Sequence, residues 1–233
     1  GALYREDALV VWAARLLQKP VFWAADRGES FLSDEHARAV SGTASLGLDK
    51  DGNFTALWVD AHIDAGAYLS RRTKGLLNNM GGVAGQYKTP AIATQMSFFF
   101  TNTMQTSPYR GFGRPEATYV IERLIDQAAR ETGRDALALR QQNLVSADAM
   151  PYQTALTFLY DCGDFPTIVA AAAKNADYAG FASRRKDSES RGLLRGIGIA
   201  NPIEVAGGPL KQIRKDIAQI TVRPDGQIVI TPG

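Results

Sequence analysis

The densest group of reactive side chains lies in Ser107-Pro108-Tyr109-Arg110-Gly111-Phe112-Gly113-Arg114-Pro115-Glu116. Two glycines let a backbone approach a ligand closely, and two arginines supply planar cationic forks. The string runs into a helix start, whose N–H groups favour an anionic or oxo group. The same spacing also describes a tight strand-to-helix turn whose arginines pair with carboxylates. Other residues carry weaker signals. His36 and His62 lack the paired Cys, His or carboxylate spacing of a metal site, and no metal ligand is assigned. Cys162 sits beside Asp161, which disfavours the thiolate, so it reads as a buried or half-buried small side chain. Glu204, after Pro202-Ile203, is an acid or base candidate at a strand end, against a structural hydrogen-bonding carboxylate. Gly196-x-Gly198 lacks the third glycine and helix of a dinucleotide fingerprint. Trp12, Trp23 and Trp58 fall within apolar patterns and read as core.

The elements that must position these groups follow from periodicity. Leu9, Trp12, Ala13, Leu16 and Leu17 lay one stripe along a helix over 5–18, ended by Lys19-Pro20. Val21 to Ala25 reads as a short buried strand. Residues 39–48 and 54–67 form a β-ribbon around Asp49-Lys50-Asp51-Gly52-Asn53, a loop suited to positive backbone angles. Asn78-Asn79 and Gly81-Gly82 favour turn or capping geometry, and 92–101 reads as another strand. A helix begins at Pro115 and keeps a period near 3.6 through Ala117, Val120, Ile121, Leu124, Ile125 and Ala128 to Gly133. Asp135 caps a shorter helix to about Leu144, and Asp164-Phe165-Pro166 opens another through Ala170–Ala173. The apolar-free run 184–191 reads as a solvated connection, followed by a Gly-rich strand, 196–200, and a hairpin turning at Pro224-Asp225-Gly226. The expected fold class is therefore α+β, with mixed sheets and packed helices.

Length and composition narrow the functional classes. The chain has 233 residues, 45% apolar and 21% charged, with 22 Gly and 10 Pro, as in an ordinary globular protein. Lys plus Arg number 26 against 24 Asp plus Glu, too even for the clustered basic field of a nucleic-acid binder. A single cysteine excludes an iron–sulfur cluster, a Cys-rich zinc site and an internal disulfide within this chain. No run approaches the roughly 18 apolar residues of a membrane span. The chain lacks an initiator Met and opens inside helix-like sequence, so it is expected to be an internal fragment.

The 107–116 string resembles the Tyr/Phe-Arg-Gly-x-Gly-Arg/Gly-Pro loop of the xanthine dehydrogenase and aldehyde oxidase family of molybdenum hydroxylases. Further motifs are similar, in order, to its molybdopterin-binding large subunit: Lys19-Pro20-Val21-Phe22-Trp23 with Asp26-Arg27 and Glu29, Ala65-Gly66-Ala67-Tyr68, Thr101-Asn102-Thr103, Arg114-Pro115-Glu116-Ala117, Arg140-x-x-Asn143, and Tyr160-Asp161-x-Gly163-Asp164-Phe165. The resemblance implies a molybdenum pterin cofactor, with water-derived oxygen inserted at a C–H bond of an aldehyde or nitrogen heterocycle. It implies as partners the remainder of the molybdopterin subunit, together with iron–sulfur and FAD centres on other subunits or domains. It places Tyr109, Arg110 and Gly111 at the cofactor, and makes Arg110 and Phe112 catalytic, with Phe112 a wall of the substrate pocket. The expected compartment is cytoplasmic, the periplasm remaining open.

The expected layout is 1–183 as most of a first molybdopterin-binding domain, 184–191 as a linker, and 192–233 as the opening strands of a second. The family's Gly-Gly-x-Phe-Gly segment should precede Gly1, its Gly-Gln-Gly-His-like loop should follow Gly233, and its catalytic Glu lies further on. The isolated fragment is accordingly expected to be inactive. Pro108 stands where Ala is usual. Gly111 stands where the carbon monoxide dehydrogenase branch has a copper-binding Cys, which counts against carbon monoxide oxidation. Two other classes stay open: a non-catalytic binding or scaffold domain on the same fold, and an anion-binding domain using the Arg110/Arg114 loop.

Overall fold

A computed structural model describes residues 4–69, 75, 79–204 and 217–232, and Asn78, expected in a turn, lies outside them. The chain divides into two compact units, 1–203 and 204–233.

Unit one is built on a three-stranded mixed sheet in the order β1 (Val40–Leu48), β2 (Phe54–Gly66), β3 (Ala91–Phe100). The expected ribbon is β1 and β2, antiparallel from Val40 opposite Ile63 to Leu48 opposite Phe54. The Asp49 carboxylate shapes the turn by accepting the N–H groups of Asp51 and Asn53 at 2.9 and 2.8 Å. Against the other edge of β2, β3 runs parallel, with Ile63 opposite Phe98. Strand side chains alternate between faces, so Leu57, Val59, Ala61 and Ile63 all enter the core.

That face is covered by α3 (Arg114–Thr132), whose Ala117, Ile121, Ile125 and Ala128 form the expected stripe. Gly133 ends the helix in the left-handed region at φ 65°. Helix α4 (Ala136–Asn143) starts under the Asp135 cap, whose carboxylate accepts the Ala138 N–H at 2.8 Å. A 3-10 turn at Gly81–Ala84 is wholly buried, and Tyr87 meets Phe54 edge to face at 5.6 Å. The minor strands β4 (Tyr152–Gln153) and β5 (Leu159–Tyr160) carry Tyr160 to the first residue of α5 (Phe165–Asn175).

Helix α1 (Arg5–Leu17) forms as expected, but Leu9, Trp12, Leu16 and Leu17 are exposed within the described structure. Helix α2 (Arg27–Ser33) starts on the Asp26 cap, which the sequence reading did not assign as a helix. Several expectations are corrected. Val21 to Ala25 is not a strand: no partner strand meets it among the described residues, and Phe22 is 88% exposed. Trp12, Trp23 and Trp58 are not core residues, being 62%, 52% and 43% exposed. Cys162 is exposed, and the neighbouring Asp161 charge pushes its thiol pKa up, as expected.

Residues 184–191 are largely exposed, as expected of a solvated stretch, but they are helical where a connection was expected. All but Arg191, its C-cap, belong to α6 (Phe181–Ser190), which lacks an apolar stripe but carries i,i+4 pairs, Arg185 with Glu189 at 3.0 Å and Arg191 with Asp187 at 2.8 Å. Ser188 in this helix is buried and accepts from Arg195 at 2.9 Å. Residues 196–200 make no strand: no partner strand meets them among the described residues, and the Ile199 carbonyl accepts from the Arg140 side chain at 3.2 Å. The two compact units divide after Ile203, further along the chain than the expected linker at 184–191.

In unit two, β6 (Ala218–Val222) and β7 (Ile228–Pro232) form the expected hairpin, with Gly226 at φ 85° in its turn. Ile220, Val222, Ile228 and Ile230 are exposed within the described structure, so this hairpin buries no core of its own. Among the described residues no helix is long and apolar enough to cross a membrane.

Candidate cofactor site

The site loop leaves the end of β3 and is tied to the rest of the sheet by main-chain bonds. Gly66, at φ 72°, lies so close to the Met104–Gln105 backbone that a Cβ there would stand 2.2 Å from the Met104 carbonyl oxygen. Only glycine permits that contact. The Thr106 N–H then donates to the Ala65 carbonyl at 3.2 Å, and the Ser107 N–H to the His36 carbonyl at 2.8 Å. Asp64 secures the same corner. Its carboxylate accepts from the Thr101 hydroxyl at 2.6 Å, the Gly66 N–H at 2.7 Å and the Thr103 hydroxyl at 3.1 Å. The Thr101 bond, followed by the Gly66 N–H, holds the Asp64 pKa below the ordinary carboxylate value. The Ala65-Gly66-Ala67 and Thr101-Asn102-Thr103 motifs are thus two sides of one joint.

Beyond it, Gly111, Phe112 and Gly113 have φ of 88°, 28° and 91°. Three successive positive angles fold the chain sharply into α3. For Phe112 that angle is strained, and such strain persists only where the surroundings over-determine the conformation. The surroundings are identifiable. The Phe112 N–H donates to the Tyr109 carbonyl at 2.8 Å, the Phe112 carbonyl accepts from Asn79 at 2.5 Å, and the Gly113 N–H donates to the Glu116 carboxylate at 2.9 Å. The Phe112 ring is half-buried, packed on the rim of the core and over Gly75, where a Cβ would meet it at 2.8 Å. It also lines a cleft with Arg38, Val40, Ile63, Tyr109 and Glu116.

The two arginines of the string differ. The Arg110 side chain is exposed and, among the described residues, its guanidinium makes neither an ion pair nor a hydrogen bond. Arg114 lies across the Phe158 ring, 5.4 Å from its centroid. Tyr109 is 63% exposed, and the Arg38 guanidinium stands 4.8 Å from its centroid. The structure therefore brings Tyr109, Arg110, Gly111 and Phe112 together at one loop. It sets His62 apart on the sheet, 3.6 Å from Asp60 and edge-on to Phe99. His36 lines the loop through its main chain alone among the described contacts. Among the described residues no group of His, Cys, Asp and Glu is arranged to hold a metal ion.

Arg38 went unnoticed in the sequence. It is 72 residues from Arg110, yet its Nη2 donates to the Arg110 carbonyl at 2.6 Å while its Nε lies 3.8 Å from Glu116. Its one sequence-level sign is the strand that begins two residues later. The Arg140-x-x-Asn143 motif resolves into structural roles. Arg140 is completely buried, donating to Glu122 at 2.7 Å and Asp126 at 2.8 Å, and Asn143 holds the β1–β2 turn through the Phe54 N–H and the Gly52 carbonyl.

An α+β domain with a glycine-bracketed, arginine-bearing loop at the end of a mixed sheet is the class these observations define. Residues 2–144 match the family model described as the molybdopterin cofactor-binding domain. The chain belongs to that family, within the molybdenum hydroxylases that the ordered motifs resemble. It is 29% identical, over 89% of its length, to the 6-hydroxypseudooxynicotine dehydrogenase complex subunit gamma of Paenarthrobacter nicotinovorans, and 29% identical over 99% to the carbon monoxide dehydrogenase large chain of Hydrogenophaga pseudoflava. It covers 27% and 30% of those proteins. In three dimensions it is similar to quinoline 2-oxidoreductase from Pseudomonas putida 86, with a TM-score of 0.83 and 28% identity over 97% of this chain and 30% of that one. The chain thus spans about three-tenths of the length of the curated relatives it matches.

Proposed function

We propose that this chain is part of a molybdenum hydroxylase large subunit that oxidises an aldehyde or nitrogen heterocycle, and that Tyr109–Phe112 is its contribution to the cofactor and substrate site. The observation that carries the reading is the Gly111-Phe112-Gly113 backbone, held at positive φ beside an Arg110 guanidinium with no internal partner among the described residues. A cradle of this kind suits an anionic ligand. A Cβ on Gly111 would close on the Pro115 ring at 2.7 Å, so the path exists only with glycine there. Names of the relatives support the substrate class, since they include a nicotine 6-hydroxylase large subunit and a quinoline oxidoreductase. They also include carbon monoxide dehydrogenase chains, against which Gly111 weighs, because it offers no soft ligand for copper.

The molybdenum pterin group, when bound, supplies the redox chemistry that puts a water-derived oxygen on the substrate carbon. The chain's own residues bind and orient. Arg110 offers a planar fork of N–H donors to an anionic or oxo group, Gly111 lets the backbone come close, and Phe112 presents a ring to a flat substrate. The proposed partners are the rest of the large subunit and subunits or domains bearing iron–sulfur and FAD centres. The proposed layout keeps 1–183 in the first molybdopterin-binding domain and 192–233 as the opening of the second, with 184–191 between them as an exposed, largely helical linker.

The test uses the full-length subunit, assayed for molybdenum content and for turnover of one aldehyde and one heterocycle. Arg110→Ala is expected to slow turnover about 100- to 1,000-fold, the loss typical of one pre-organised donor, and Arg110→Lys is expected not to restore it. Near-parental turnover in Arg110→Ala at equal molybdenum content would leave the loop as a turn and refute the reading.

A further inference from the structure

We infer that Arg38 is a positioning residue for the site loop: its guanidinium clasps the Arg110 carbonyl and the Glu116 carboxylate together, fixing the path on which Arg110 and Gly111 meet an anionic ligand. The inference rests on the site reading just given. Three contacts converge on this one side chain. Nη2 donates to the Arg110 carbonyl at 2.6 Å, Nε stands 3.8 Å from Glu116 Oε1, and the guanidinium stacks on Tyr109 at 4.8 Å. Glu116 in turn takes the Gly113 N–H at 2.9 Å on its other oxygen. The clasp therefore closes a ring around the three positive-φ residues, gripping the chain one residue before Gly111 and again at Gly113.

The backbone of Arg38 supplies a second observation. It sits at φ 60°, in the left-handed region that favours glycine, one residue before the chain straightens towards β1. An arginine kept there bears a local backbone cost that glycine would avoid. The hydrogen bond to the Arg110 carbonyl and the ion pair with Glu116 account for its presence. A planar fork is also needed, because one group must face a carbonyl and a carboxylate at the same time, which a point-charge ammonium does less well.

The experiment compares Arg38→Gln, Arg38→Gly and Arg110→Ala in the full-length subunit. Hydrogen exchange of peptides covering 109–113, thermal melting, molybdenum content per chain and turnover are measured for each. Arg38→Gly is included because glycine suits φ 60°, so its fold is not endangered by the backbone. Amides of the loop are expected to exchange about 10- to 100-fold faster in both Arg38 variants, as for a lost charge-assisted hydrogen bond. Molybdenum retention should weaken roughly 10-fold or more, as when a group that orients a ligand is removed. Arg110→Ala should lower molybdenum content with loop exchange unchanged, separating positioning from contact. Unchanged loop exchange in the Arg38 variants would overturn the inference. So would a loosened loop that keeps its molybdenum while Arg110→Ala loses it. If all three variants retain molybdenum and turnover, the inference falls together with the site reading on which it stands.

Discussion

Arg110 and Arg140 belong to two motifs of the same family resemblance, and the structure gives them opposite surroundings. Arg110 is exposed, with its carbonyl held and its guanidinium free of partners among the described residues. Arg140 is fully buried. It donates to Glu122, Asp126 and the carbonyls of Ala136, Glu122 and Ile199, while Glu122 also accepts from Tyr87 at 2.7 Å and the Tyr87 hydroxyl accepts from Asn201 at 3.0 Å. One arginine has its donors satisfied by the fold, and the other has donors to spare. A motif marks a residue the fold cannot easily replace, and only the surroundings tell whether the requirement comes from inside or from a ligand.

The largest expected effect breaks the buried side of this pair. Arg140→Ala strands Glu122 without its cation, and such a loss costs about 3–5 kcal/mol. Chemical denaturation of the full-length subunit checks it. Removing Glu122 together with Arg140 should cost less than the sum of the two single changes, because the second change no longer strands a charge. An effect below about 1 kcal/mol for Arg140→Ala would mean that water reaches the network and that the contrast with Arg110 is one of degree.

A smaller effect sharpens the same side through pH. Burial, and then the neighbouring Glu122 charge, push the Tyr87 phenol well above its ordinary value of 10.0. A raised folded-state pKa means the native state keeps its proton where the unfolded chain has released it. Stability from Tyr87 is thus complete below about pH 10 and is lost as pH rises above it. Unfolding midpoints recorded across alkaline pH should fall for the parent protein, and the fall should be shallower in Tyr87→Phe, which has no phenol to titrate.

The smallest expected effect lies at Arg110. With no side-chain bond to lose among the described residues, Arg110→Ala should change stability by no more than about 0.5 kcal/mol, as measured by the same denaturation. A loss comparable to that of Arg140→Ala would erase the distinction between the two arginines.

Much of this architecture was legible in the sequence where pattern and local chemistry agree. Helix α3 was readable from its stripe and its closing glycine, α4 and α5 from Asp caps, and the β1–β2 ribbon from its Asp-Gly-Asn turn. The failures have physical causes. Val21–Ala25 and 196–200 carry strand-like residues, but a strand requires a ladder partner, which no single segment reveals. Helix α6 has no apolar period to read, because it is supported by charge pairs and one buried serine. Trp58 sits in an alternating strand, yet alternation does not say which face is covered, and it lies on the uncovered one. At the site, the loop residues were visible as a string, whereas Arg38 meets them only through folding.

Gly66 and the parallel pairing of β2 with β3 have a consequence for spacing. The loop bearing Arg110 follows β3, while Arg38 precedes β1, so their separation is counted out across three strands before either side chain is placed. Each residue of strand is worth about 3.3 Å, and a shift of one also exchanges the two faces of the sheet. The Arg38 Nη2 to Arg110 oxygen distance of 2.6 Å has no room for a step of that size. The sheet therefore acts as a ruler for the site, and an inserted or deleted residue far along β3 would displace the loop as surely as a change within it.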